Sequence, residues 1–284
     1  MSVRARTPRA IARPRRSRPV RRASAGLSPV RAGAALAMLA AAAAMYGVGA
    51  SSAFAFREIR VDGVRYTDAE EVTARLALAP NTNLFGLSTD TLEVRLRELT
   101  SVAGADVAVE LPETLAVAVR ERVPLLVWTV GERRYLVDRD GILFADADRV
   151  PADDTSALPA MADQRAASSS LRLGGRLEAV DLDAATRLGS IRPPDVGSAA
   201  VSLSVSVTDE NGFVLRTPAG GWVAVFGFYT PSLRTPALIP GQVRLLRSLL
   251  TGREAQVERV ILASDTSGTF IPRPTQKPAK SPRP

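Results

Sequence analysis

The chain has 284 residues and a formal charge of +8, from 37 basic and 29 acidic side chains. It contains no Cys and no His. That excludes a disulfide framework, a Ser/His/Asp or Cys/His catalytic constellation, and the usual soft metal ligands.

The charge is one-sided. Ten arginines fall between Arg4 and Arg31, and no acidic residue precedes Glu58. The rest of the chain then carries 27 basic against 29 acidic residues, so the high isoelectric point belongs to the arm and gives no support to nucleic-acid binding. Residues 1–31, with Pro8, Pro14, Pro19 and Pro29 among the arginines, are expected to be a disordered cytoplasmic arm. An uncharged run of 25 residues follows, Ala32–Phe56. As a helix it reaches about 37 Å, enough to cross a hydrocarbon layer of roughly 30 Å. Arginines beside a span resist translocation, which predicts a single-pass membrane protein with its N-terminus in the cytoplasm and residues 57–284 outside. The rival is a cleaved signal peptide, since Ala53-Phe54-Ala55 has the small-x-small pattern of a cleavage site.

Residues 57–124 are expected to form one small domain. Arg57–Val61 alternates as a strand, and Asp62-Gly63 turns the chain. Thr67 with Glu70 makes a capping box for a helix over 68–76. Pro80-Asn81-Thr82-Asn83 breaks it. Ser88 or Thr89 caps a second helix through Leu99, with Leu92, Leu96 and Leu99 at helical spacing. Ala105–Glu110 and Thr114–Arg120 read as strands around Leu111-Pro112-Glu113. Ile59, Val61, Leu92, Leu96, Val107 and Val109 are expected to share one core.

Residues 125–271 read as a mainly antiparallel β domain. Arg134–Val137 and Ile142–Phe144 make a hairpin, and 177–188 suits a helix. Val201–Val207 alternates with Ser as a half-buried strand. Asn211-Gly212 turns into Phe213–Arg216, and Pro218-Ala219-Gly220-Gly221 turns into Trp222–Phe228. Gln242–Leu250 is an amphipathic helix and Val257–Ala263 a last strand. Residues 272–284 are expected to be a disordered Pro/Lys/Arg-rich tail. Val-Asp-Arg-Asp-Gly (137–141) begins like a calcium loop but lacks the later ligands, and a hairpin turn explains it better. No catalytic residue, cofactor or metal site is expected.

These words together resemble the FtsQ/DivIB cell-division family. The resemblance rests on Phe56–Thr67, Asn83-Leu84-Phe85, Leu111-Pro112-Glu113-Thr114-Leu115, Arg120-Glu121-Arg122-Val123-Pro124 and Tyr135–Phe144. The fold class it implies is α+β: a transmembrane helix, a POTRA-like β-α-α-β-β domain, then the β domain with a C-terminal helix and strand. It implies a non-enzymatic, bitopic divisome scaffold at the septum, linking FtsB/FtsL-like partners to peptidoglycan synthesis, with no nucleic acid and no small-molecule substrate. In that family the partner adds a strand to the β domain near its last strand. Carried over, the partner-binding edge would be Gln256, Val257, Glu258, Arg259, Val260, Ile261, Leu262 and Ala263. Val257, Val260 and Leu262 have an equal reading as ordinary core, whereas the charged Glu258 and Arg259 should point outward. The alternatives are a POTRA-bearing component of an export system and a secreted carboxylate-based hydrolase.

Overall fold

The computed structural model describes residues 29–50 and 52–274. Most of the expected arginine arm and tail, residues 1–28 and 275–284, lies outside them. The described chain falls into two units, divided at Ser51.

The first unit is helix α1, Pro29–Ala50. Proline opens it, where its missing N–H costs nothing. Residues Pro29–Val48, with Arg31 as their one charged side chain, are long enough and apolar enough to cross a membrane, with none of that window buried. The helix begins three residues before the uncharged run and ends six before Phe56. Residues 52–54 instead form a short 3-10 turn, and Ala55 is buried and bridged to Asn83.

The second unit starts with a three-stranded sheet. Its strands are β1 (Glu58–Asp62), β2 (Val102–Glu110) and β3 (Thr114–Glu121), in the order β1-β3-β2. β1 runs parallel to β3, and β2 antiparallel to it. A parallel neighbour needs a crossover, and helices α2 (Ala69–Leu76) and α3 (Thr89–Leu96) supply it. Their apolar stripes, Val72, Leu76, Leu92 and Leu96, pack with Val107, Leu115 and Val117 from the sheet. Ile59, Val61 and Val109 join the same cluster. The expected capping box does not form. Asp68 takes the N-cap position without a side-chain bond. Thr67 is buried, its hydroxyl 2.6 Å from that of Ser101 and its N–H donated to Glu121. The second helix also stops short, at Leu96, and Leu99 reaches the core from the following turn.

The remaining strands form one nine-stranded sheet. They are β4 (Pro124–Val130), β5 (Arg133–Asp138), β6 (Leu143–Asp146), β7 (Ala160–Asp163), β8 (Ser204–Thr208), β9 (Gly212–Arg216), β10 (Val223–Gly227), β11 (Val257–Leu262) and β12 (Gly268–Pro272). Their order is β12-β11-β10-β9-β8-β7-β4-β5-β6. Five neighbouring pairs are antiparallel; β4/β7, β7/β8 and β10/β11 are parallel. A one-turn helix, α4 (Ala152–Thr155), precedes β7. Helices α5 (Ala179–Gly189) and α6 (Ile239–Leu250) cover one face, burying Ala184, Leu188, Leu246 and Leu250 against Trp128, Phe213, Leu215 and Phe226.

Two expectations for this sheet change. The Val/Ser segment becomes a strand only at Ser204, and Val201 is fully exposed. Val205, Ser206 and Val207 are buried alike, because β8 lies in the middle of the sheet between β7 and β9. The Asn211-Gly212 turn matches expectation. Gly212 has φ +63, and a Cβ there would sit 2.4 Å from the Gly227 carbonyl, so only glycine fits.

Arg122 and the loop of residues 65–67, which Glu121 holds in place, tie the two sheets together. The Glu121 carboxylate accepts the N–H groups of Arg65, Tyr66 and Thr67 at 2.8–3.1 Å, pinning the loop before α2 to the end of β3. Arg122 donates to the Thr100 carbonyl at 2.9 Å and to Asp138 Oδ2 at 2.6 Å. Tyr66 stands edge-on to Phe144, and Arg65 pairs with Asp154. Asp138 is itself buried, and its Oδ1 accepts the N–H groups of Asp140 and Ile142. Its carboxylate is thus committed to the 138–142 turn and to Arg122.

Candidate protein-interaction edge

A strand can be added only where a sheet leaves backbone N–H and C=O groups unpaired, so the sheet ends decide where a partner can dock. At one end of the nine-stranded sheet, the first half of β6 is closed. Leu143 donates to the Gly175 carbonyl at 2.9 Å and accepts from Gly174 at 2.8 Å, while Thr100 donates to the Phe144 carbonyl. In the small sheet, the β2 edge is blunted by Glu93 of α3, whose carboxylate accepts the Val107 N–H at 3.3 Å.

The other end of the large sheet corrects the expected edge. β11 is an inner strand, parallel to β10 on one side and antiparallel to β12 on the other. The turn between them was hidden in Ser264-Asp265-Thr266-Ser267-Gly268. The Ser264 hydroxyl accepts the N–H groups of Thr266 and Ser267, and the Ser264 N–H donates to the Ser267 carbonyl. Ser, Asp, Thr and Gly between two apolar runs is a turn composition, so this hairpin had a signal in the sequence. Of the residues first expected at the edge, Val257, Val260 and Leu262 are buried in the core. Arg259 is half-buried, and Gln256, Glu258, Ile261 and Ala263 are exposed. Their backbone lies beneath β12, so they can reach a partner only through side chains.

β12 is the exposed strand at this end. The Arg273 N–H donates to the Gln256 carbonyl at 2.7 Å, and the Ser267 carbonyl faces Ser264. Antiparallel strands alternate, so residues 267, 269, 271 and 273 turn their polar backbone inward and Gly268, Phe270 and Pro272 turn theirs outward. The outward row offers the N–H groups of Gly268 and Phe270. Phe270 and Ile271 also expose apolar side chains.

This corner is braced by residues with no clear sequence signal. Gln242 on α6 is completely buried. Its amide donates to the Phe226 and Leu262 carbonyls at 3.3 and 3.1 Å and accepts the Tyr229 hydroxyl at 2.7 Å. Arg234 donates to the same two carbonyls at 2.7 and 2.8 Å and to that of Ala263. These are the C-terminal ends of the parallel strands β10 and β11, whose carbonyls have run out of partners. Burial pushes the Tyr229 hydroxyl above its ordinary range, keeping it a neutral donor. At the opposite end of the pair, Glu254 accepts the Trp222 indole N–H at 2.8 Å, the Ala199 N–H at 2.9 Å and the Ser198 hydroxyl. Burial opposes its charge, but these three bonds outweigh it and hold the carboxyl below the usual range.

Residues 54–122 match the family model described as "POTRA domain, FtsQ-type". The chain is 31% identical over 158 residues to the cell division protein FtsQ of Mycolicibacterium smegmatis, covering 52% of this chain and 44% of the relative. It is 32% identical over 164 residues to FtsQ of Mycobacteroides abscessus, covering 57% and 51%. With FtsQ of Streptomyces bingchenggensis it shares 33% over 102 residues, covering 36% and 38%. The chain thus spans about half the length, or less, of these relatives.

Proposed function

From a chain that is a relative of the FtsQ proteins and carries their type of POTRA domain, we propose a non-enzymatic cell-division scaffold held in the plasma membrane by α1. Its N-terminus lies in the cytoplasm and its folded unit outside, at the septum. An extracytoplasmic segment of an FtsB/FtsL-like partner adds a strand to β12, and Glu258 and Ile261 lend side-chain contacts from the strand beneath. The observation that carries this reading is the outward row of β12 with its exposed Phe270 and Ile271; of the three other sheet edges, β6 is closed at its start, β2 is blunted, and β1 exposes no large apolar side chain.

The test is partner capture together with thermal melting. Phe270→Pro removes an outward N–H and no bond to β11, so it should melt like the wild type and lose at least about tenfold in partner affinity. Phe270→Ala keeps the N–H and separates the ring's share from the backbone's. Thr269→Pro removes an inward N–H and should lower the melting temperature. Unchanged capture by a folded Phe270→Pro protein excludes strand addition at β12.

The topology has its own expected result. A reporter fused after Pro284 should be active only outside the cytoplasm, and protein extracted from membranes should begin before Ala32. A mature N-terminus at Phe56 would overturn the anchor.

A further inference from the structure

We propose that the loop carrying Phe85, together with Phe54, seats on the surface of the lipid bilayer and inserts its aromatic pair at the headgroup–acyl boundary. This rests on the reading of α1 as a membrane span.

Four observations lead there. Phe85 is 54% exposed, and its ring meets that of Phe54. The two rings stand edge-to-face with centroids 4.7 Å apart. Their display is built: Asn83 Oδ1 accepts the Phe85 N–H at 2.9 Å, fixing the 3-10 turn Leu84–Gly86 that carries the ring. The loop is also stitched to the segment that follows the span, through the Ala55–Asn83 bridge and the Phe56 N–H donated to Thr82.

Charge and hydration favour lipid over water. No charged residue occurs between Arg75 and Asp90, nor between Arg31 and Arg57. Several backbone N–H groups of the loop are already bonded within it, Thr82 to Ala79, Gly86 to Asn83 and Leu87 to Leu84. Taking such a surface out of water therefore leaves few polar groups unpaired. Chain connectivity sets the occupant. Only three residues lie between Ala50 and Phe54, so chain length alone keeps the Phe54 Cα within about 14 Å of the last residue of α1. A surface tethered that closely to a span, aromatic and uncharged, suits the interfacial region where amphipathic and aromatic side chains gather.

The experiment uses the full chain with Phe85→Trp, reconstituted in phosphatidylcholine/phosphatidylglycerol vesicles containing lipids brominated near the headgroup. Phe54→Trp serves as a second probe. The native Trp128 and Trp222 are buried and give a constant background. Val201→Trp, at a position 96% exposed, is the control. Vesicle flotation reads the span and bromine quenching reads the loop. The expected result is protein that floats with the vesicles, with both aromatic-pair probes blue-shifted and quenched more strongly than the control. Protein that floats but quenches no more than Val201→Trp overturns the loop contact and leaves the span standing. A blue shift without quenching also overturns it, because protein and not lipid then covers the ring. Protein that fails to float removes the span and this proposal together.

Discussion

Replacing Leu96 with Ala should destabilise the folded unit by about 2–5 kcal/mol, the range for truncating a leucine in a close-packed core. Leu96 has no exposed surface and lies among Leu92, Leu76, Val107 and Val117, so a cavity there has no route to solvent. For a unit of this size the loss should lower the melting temperature by roughly 5–15 °C. Val94, two residues away, is 54% exposed, and Val94→Ala should stay within about 0.5 kcal/mol of wild type. Arg95 is a poorer control than the helical pattern suggests. Its guanidinium donates to the Leu76 carbonyl at 3.0 Å, closing the last turn of α2, and its removal should cost about 1 kcal/mol. Equal losses at Leu96 and Val94 would mean that α3 presents a different face.

The second large effect is expected at the end of β7. Asp163 has a completely buried side chain, and its oxygens accept the Arg165 N–H, Nε and Nη2 at 2.9–3.0 Å. Arg165 also reaches Asp181 on α5 at 2.7 Å, so one guanidinium joins the sheet to the helix layer. Removing one partner of a buried pair leaves the other charge poorly solvated, typically at about 3–5 kcal/mol. Asp163→Asn should fall near the lower end, since Asp181 still holds Arg165.

The pH dependence gives that prediction a sign. Burial works against the Asp163 charge, but the bonds from Arg165 and Ser168 outweigh it and hold the carboxyl below its ordinary value. A depressed folded value means that the stabilisation is complete above the unfolded value of about 3.9 and is lost as pH falls through the folded one. Urea titrations should therefore show a wild-type advantage over Asp163→Asn that is full at pH 7 and shrinks below about pH 4. A gap that stays constant to pH 2 would mean that the charge of Asp163 contributes nothing and only its shape matters.

Much of this fold is local in origin, and so was legible in the chain. The uncharged run, the two amphipathic helices and the alternation of 105–110 and 114–120 are written within windows of about ten residues. Each appears as α1, α2, α3, β2 and β3, with shifted ends. The same holds for the Asn211-Gly212 turn, where the backbone demands glycine. Three strands escaped: β4, β7 and β12. β4 is a continuous apolar run, Leu125–Trp128, because strands buried on both faces lose the alternation that marks a half-buried one. β7 and β12 have only four and five residues, too few to show a period.

The candidate site depended on what those short strands do. Local sequence made 257–262 a strand, but only the bulge between Val257 and Arg259 lets Val257 share the buried side with Val260 and Leu262. Whether that strand closes the sheet depends on the hydrogen bonds of its neighbours, and a five-residue hairpin arm supplies them. The same is true of Thr67, a good helix cap by sequence that is drawn away by Ser101 and Glu121, 34 and 54 residues further on. It is true of Gln242, read as the polar start of an amphipathic helix and found wholly buried between two strand ends. Residue type and spacing determined which segments form helices and strands and which faces are apolar. The tertiary structure alone decided which polar groups are satisfied and which edge stays open, because a backbone donor finds its partner through space and leaves no mark in the local pattern.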